Sequence, residues 1–145
     1  MKLNECMNVY LANQQIMFVK LHNLHWYIKG ENFFSLHAKF EDLYDSCAEI
    51  IDEVAERMLM IGHTPVASLA SSLKLAKITE LADKPIKAAE AVKILHEDVL
   101  FWIDASKNIH ELANKEGDFG TADIFAKYLG EYQKLSWMLK STMSA

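Results

Sequence analysis

Apolar positions recur every three or four residues through four long stretches of the chain and one short one, the period of a helix with one buried face. Stretch A runs from about Leu3 to Lys29, with Leu3, Met7, Tyr10, Met17, Leu21, Leu24 and Ile28 on its stripe. Gln14 is the one polar residue on that stripe. Stretch B runs from about Ser35, read as its N-cap, to Ile61, with Gly62 past its end. Its stripe is Leu36, Phe40, Leu43, Cys47, Ile50 and Val54, then Arg57 and Ile61. Stretch C runs from about Pro85, placed in the first turn, to Glu116, before Gly117. It carries Ala88, Val92, Leu95, Val99, Trp102, Ser106, Ile109 and Ala113. Stretch D runs from about Thr121 to Met143, with Phe125, Leu129, Tyr132, Leu139 and Met143. Between B and C, Leu69, Leu73 and Ala76 predict a small helix in the crossover.

Four long amphipathic helices, each with one apolar stripe, predict an all-α four-helix bundle in one domain, residues 1–145. The A–B and C–D links are tight, so each pair is expected to be an antiparallel hairpin. The B–C link is long enough to run the length of the bundle. The five glycines and two prolines cluster at Gly30, Gly62–Pro65, Pro85 and Gly117–Gly120, leaving Gly130 unexplained inside D. An all-β chain would need a turn signal every 8–12 residues or so, which these breakers do not supply. No apolar run reaches the ~18 residues of a membrane span. The opening Met1-Lys2-Leu3-Asn4-Glu5 turns acidic where a signal peptide would be apolar, so a cytoplasmic protein is expected. Cys6 and Cys47 make no disulfide framework and read as small buried hydrophobes in a reducing compartment.

The polar face of B carries the chemistry. At roughly 100° per residue, Glu41, Asp52 and Glu56 share an arc with His37 on the side away from B's own apolar stripe. A solvated acidic face is the plain alternative. It does not account for Tyr44 and Ala48 in the middle of that arc, nor for Trp26, Tyr27, Phe33 and Phe34 crowding the same end of the hairpin. His37 and Asp52 are 15 residues apart, about 22 Å along a helix. Metal–ligand bonds are only ~2 Å, so one chain cannot bring both clusters to one ion. Two copies of B, antiparallel about a two-fold axis near Tyr44–Ala48, can do so, and they form the site twice. His25, late in A, joins the His37/Glu41 end across the Gly30 link. Two imidazoles with three carboxylates suit Fe(II) or Mn(II) better than a structural zinc, though Zn(II) also accepts such ligands. A Glu-x-x-His pair pointing into the bundle's own core is absent, because Val19, His22, Phe34, Met60, Lys93 and Lys107 stand three residues before the six histidines.

These residues carry a resemblance. The run from Lys20 to Tyr44, with His25-Trp26, Gly30, Phe33-Phe34, His37 and Phe40-Glu41, resembles the signature of the Dps family, the miniferritins. Ile51-Asp52-Glu53-Val54-Ala55-Glu56-Arg57 is similar to its second half, and Trp137-Met138-Leu139 also fits. The resemblance implies a ferritin-like bundle assembling into a hollow homo-dodecamer. It implies oxidation of Fe(II), preferably by hydrogen peroxide, and storage of the ferric product. It assigns His25, His37 and Glu41 of one chain, with Asp52 and Glu56 of its two-fold partner, to the ferroxidase centre. Trp26 is then either an electron donor that quenches stray oxidant or an interface side chain. Asp118 and Asp123, near the start of D, either cap that helix or line an ion pore. Lys127, one turn on, stands where relatives often carry a further acid.

The remaining polar residues read plainly. His22 is expected at the surface or behind the site, His63 in a loop, and His96 and His110 as surface or packed residues. Arg57, the only arginine, sits on B's stripe and is expected in an ion pair, buried or interfacial, that also helps position Glu56. The formal net charge is −5. Only Lys2 precedes helix A, and the chain closes on Lys140-Ser141-Thr142-Met143-Ser144-Ala145 without a basic tail. Stable binding of duplex DNA at physiological salt is therefore not expected.

Overall fold

The computed structural model describes residues 1–143. Four long helices dominate: α1 (Leu3–Tyr27), α2 (Phe33–Met60), α4 (Ala88–Lys115) and α5 (Phe119–Met143), with a short α3 (Leu69–Leu75) between α2 and α4. No helix among the described residues is long and apolar enough to cross a membrane. The chain divides into two compact units, Asn4–Ala88 and, from Ala89 onward, a second one.

In the first unit α1 and α2 run antiparallel, as His25 beside His37, His22 beside Tyr44 and Gln14 beside Cys47 show. The helix ends follow from backbone chemistry. Gly62 at φ 84° closes α2: its N–H donates to the Leu59 carbonyl and that of His63 to the Met58 carbonyl, the double bond of a left-handed glycine cap. The start of α2 differs from the sequence expectation. The helix begins at Phe33, behind Asn32 in the left-handed conformation. Ser35 lies inside the first turn, and its hydroxyl donates back to the Asn32 carbonyl. Asparagine tolerates that conformation better than most residues, so the chain turns earlier than a serine cap would allow.

Phe40, Cys47, Ile50 and Val54 are buried as the stripe predicts, with Met58 in addition, while Leu36, Leu43, Arg57 and Ile61 are half-buried. Gln14 is wholly buried, and the Cys47 thiol donates to its side-chain oxygen at 2.9 Å. A polar residue on an apolar stripe is thus satisfied by the thiol it meets. Cys6 is also buried, and no disulfide joins the two.

The crossover is tied to α1 by asparagines. Asn8 donates to the Thr64 carbonyl and accepts from Val66 N–H. Asn13, fully buried, accepts from Lys77 and Ile78 N–H at 2.7 and 2.9 Å. Asn23 donates to the Ala82 carbonyl. The crossover ends in a two-residue parallel pairing, β1 (Ile28–Lys29) with β2 (Ile86–Lys87), which cuts α1 short of Lys29. The same pairing moves the start of α4 past Pro85 to Ala88, so Pro85 is not in the first helical turn. The small crossover helix forms where expected, but turned over: Leu69 is 66% and Leu73 52% exposed, and Ser72 is buried.

In the second unit α4 and α5 are antiparallel, with His110 bonded to the Ala122 carbonyl, Trp102 stacked on Tyr132 and His96 bonded to Ser136. On α4 the predicted stripe from Val92 to Ala113 is buried throughout, Ser106 included, and Ala88 is half-buried. Gly117 at φ 77° closes α4 with the same double bond as Gly62, Gly117 N–H to Asn114 and Asp118 N–H to Ala113. On α5 the stripe is shifted. Phe125 and Leu139 are buried with Tyr128 and Leu135, Leu129 and Tyr132 are half-buried, and Met143 is exposed. A β-carbon at Gly130 would meet nothing within 4 Å, so no packing inside the chain requires glycine there.

Candidate metal centre

The end of α1 and the start of α2 bring two imidazoles face to face. The His25 and His37 rings stack with centroids 3.6 Å apart and planes 12° from parallel. Each ring is held by the other's backbone: His25 Nδ1 lies 2.6 Å from the His37 carbonyl, and His37 Nδ1 lies 2.7 Å from the His25 carbonyl. A carbonyl oxygen only accepts, so both Nδ1 atoms carry the proton and donate. In the neutral ring Nε2 then holds the lone pair, the tautomer a metal ligand needs. Phe33 stacks on the other side of His37. The early start of α2 at Phe33 is what places that ring.

Glu41 stands one turn beyond His37. Its carboxylate lies 3.8 Å from His25 Nε2, with the histidine side chain 8% and the glutamate side chain 55% exposed. That distance is too long for a hydrogen bond. Two donors each about 2 Å from one ion can stand up to about 4 Å apart, so it is within the span of one metal. Imidazole nitrogens beside a carboxylate form a donor set suited to Fe(II), Mn(II) or Zn(II).

Asp52 and Glu56 are exposed further along α2, about 22 and 28 Å from His37 at the helical rise. The structure thus brings together His25, His37 and Glu41 but leaves Asp52 and Glu56 apart from them. Among the described residues no three His, Cys, Asp or Glu side chains of one chain form a group able to hold a metal ion.

Tyr44, expected near a two-fold axis, and His22, expected at the surface or behind the site, lie beside this cluster. Tyr44 is half-buried one turn beyond Glu41 on α2. Its phenol is pushed above its ordinary pKa by desolvation first, then by the negative charges of Glu41 and Asp45. His22 stacks on the tyrosine ring at 3.8 Å and 16°. The available signal was the i, i+3 spacing of Glu41 and Tyr44, which makes them neighbours on a helix. Trp26 is 67% exposed, its ring 5.4 Å from His22.

The other candidates separate from this cluster. Asp118 caps α5: its carboxylate accepts from Thr121 N–H and from the Thr121 hydroxyl. Asp123 is exposed one turn into α5, and Lys127 lies over the Tyr128 ring. His110 has both ring nitrogens engaged, by the Ala122 carbonyl and by Asn114. His63 is half-buried in the turn after α2.

Comparison with known proteins gives this arrangement a family. Residues 4–145 match the ferritin family, described as a ferritin-like domain. The chain is 39% identical over 140 residues to general stress protein 20U of Bacillus subtilis, covering 97% of this chain and 96% of that protein. It is 40% identical over 135 residues to a DNA protection during starvation protein of Brevibacillus brevis, covering 93% and 90%. The crystal structure of Dps from Staphylococcus aureus superposes with a TM-score of 0.94 at 38% identity, over 99% of this chain and 95% of that one. The helices, the crossover and the polar hairpin end therefore belong to a ferritin-like fold, and the chain is a member of the Dps family.

Proposed function

We propose that this protein is a cytoplasmic ferroxidase and iron store that protects against peroxide. Its sites are shared between two-fold-related chains of a homo-dodecamer. The observation that carries the reading is the reciprocal His25/His37 pair with Glu41 beside it, while the matching carboxylates Asp52 and Glu56 lie on the same helix, out of reach.

In this reading His25, His37 and Glu41 of one chain meet Asp52 and Glu56 of the next, and Fe(II) is the substrate they hold. Two Fe(II) ions held together deliver two electrons to one hydrogen peroxide and, with two protons, yield two Fe(III) and two waters. A lone Fe(II) delivers one electron and releases hydroxyl radical. The carboxylates bind Fe(II) and favour the more highly charged Fe(III). The carbonyls bonded to the Nδ1–H groups keep both imidazoles aimed and raise their basicity. Asp118 and Asp123 draw cations towards the shell's pores, with the Asp118 carboxylate also capping α5. Trp26, exposed beside His22, sits where a side chain would either donate an electron to stray oxidant or pack against the second copy.

Twelve chains at −5 each carry about −60 of formal charge, which opposes duplex DNA. A gel shift at ~150 mM salt is expected to show no stable complex, and a clear shift would favour the DNA-protecting reading instead. The reading as a whole is tested by native mass together with Fe(II) oxidation by peroxide. A dodecamer that oxidises Fe(II) and retains ferric iron supports it. An active dimer with no larger shell refutes storage, and a shell with no iron chemistry refutes the ferroxidase.

A further inference from the structure

We propose that α3 is a docking surface for a second copy of this chain: its outward leucines, Leu69 and Leu73, cover Val19 and Trp26 on the partner's α1. The inference rests on the two-fold site reading above and adds to it the apolar contact that sets the two half-sites in register. Of the two roles open to Trp26, it selects packing.

Both patches are bare in a single chain. On α3 the one buried side chain is Ser72, whose hydroxyl has no hydrogen-bond partner, while Leu69 and Leu73 are exposed. That inverts the usual rule, which buries leucine and leaves serine to water. On α1, Ala12, Val19 and Trp26 lie within about 40° of one another at the helical period, opposite the buried Tyr10, Leu21 and Leu24. Ala12 is wholly buried, where the crossover is tied to Asn8 and Asn13. Val19 and Trp26, on the same side, are 54% and 67% exposed.

The two patches stand towards opposite ends of the α1–α2 hairpin. His25 is level with His37, and Gln14 with Cys47. The Asn8–Asn13 stretch, whose bonds to Val66 and Lys77 bracket α3, is therefore level with α2 around Asp52, and Trp26 is level with His37. A two-fold axis near Tyr44–Ala48 exchanges these ends. The operation that carries Asp52 and Glu56 to the partner's His37 and Glu41 thus carries α3 to the partner's Val19–Trp26 segment, and the partner's α3 to this chain's. The area is sufficient: the four side chains expose roughly half of the ~800 Å² per partner that a stable interface buries, and the adjoining arc of α2 supplies the rest. That arc exposes Glu41, Asp45, Glu49, Asp52 and Glu56, so two copies of it repel until cations bind. An apolar contact beside it is what holds the pair together.

The test follows Trp26 by fluorescence in the purified full chain, with native mass measured alongside. The difference in emission between a protein and its Trp26→Phe counterpart isolates this residue from Trp102 and Trp137. In the wild-type assembly Trp26 is expected to emit at short wavelength and to be shielded from acrylamide, in contrast to its 67% exposure in one chain. In Leu69→Ser/Leu73→Ser its emission is expected to shift to long wavelength and to be quenched freely. Helical circular dichroism is expected to be unchanged, because both leucines face outward. If that variant loses helicity, Leu73→Gln alone is read by the same outcomes. A wild type that is a single chain by native mass overturns the shared-site reading and this proposal with it. A wild-type assembly in which acrylamide reaches Trp26 freely leaves the face to some other occupant and overturns this proposal alone. A shielded Trp26 that the leucine substitutions leave shielded overturns it as well.

Discussion

The two helix hairpins treat the same residue type in opposite ways. In the first, His25 and His37 each spend one ring nitrogen on a carbonyl and keep Nε2 open beside Glu41. In the second, His110 spends both nitrogens, on the Ala122 carbonyl and on Asn114, and His96 gives its Nε2 to Ser136. The difference is not burial, since both hairpins bury part of each ring. It lies in whether the fold leaves a lone pair without a protein partner. One arrangement leaves a ring nitrogen open and the other ties it into the structure, and the sequence spacing of the histidines alone does not separate them.

The largest effect expected from this contrast is on metal binding. His25→Ala with His37→Ala is expected to lower Co(II) affinity by at least about 100-fold. His96→Ala with His110→Ala is expected to leave it unchanged and to lower the melting temperature, because hydrogen bonds worth about 1 kcal/mol each are lost. Equal loss of metal from both pairs would erase the distinction between the hairpins.

Next in size is the pair of asparagines Asn13 and Asn114. Asn13 is fully buried and satisfies two backbone N–H groups of the crossover. Replacing it with alanine strands both, at about 1–3 kcal/mol for each buried group. Asn114 is exposed, and its replacement is expected to stay within about 0.5 kcal/mol. Urea unfolding of the two variants checks this.

The Cys47 thiol sharpens the contrast between the buried and open faces of α2. Burial pushes its pKa well above the ordinary thiol range, so little thiolate is present at neutral pH. A thiol reagent at pH 8 is expected to label Cys47 only as fast as the chain unfolds, and rapid labelling in unfolding conditions is the control. Prompt labelling of the native protein would show that the α1–α2 hairpin opens locally.

The smallest effects concern two glycines. Gly62, left-handed at the end of α2, is expected to cost about 1–2 kcal/mol on replacement by alanine. Gly130, helical and with open space around its α-carbon, is expected to gain up to about 1 kcal/mol from the same change. Thermal melts of both variants give the two signs.

Much of this was legible in the chain, and the misses have specific causes. Helical spacing placed all five helices and the buried face of α4 from Val92 to Ala113, because a single period repeated over many residues averages out local exceptions. It failed at ends and at short elements. Ser35 and Pro85 are common helix-start residues, but Asn32 and the β1–β2 pairing, a contact between distant parts of the chain, set the starts instead. The apolar residues of α3 face outward because Ser72 faces inward. In the site, residue types and distance along one helix were enough to separate the His37/Glu41 end from Asp52 and Glu56. The reciprocal carbonyl contacts and the stacking of Tyr44 on His22 depend on side-chain placement between α1 and α2, which spacing does not specify.

The central claim is that one metal site is built from two chains. It is tested most directly by mixing a His25→Ala/His37→Ala chain with an Asp52→Ala/Glu56→Ala chain, exchanging subunits, and measuring Fe(II) oxidation by peroxide. Each variant alone is expected to be inactive. Mixed dimers restore one intact site of two, so partial recovery is expected. No recovery, in a mixture whose native mass confirms that the chains have exchanged, would contradict a shared site.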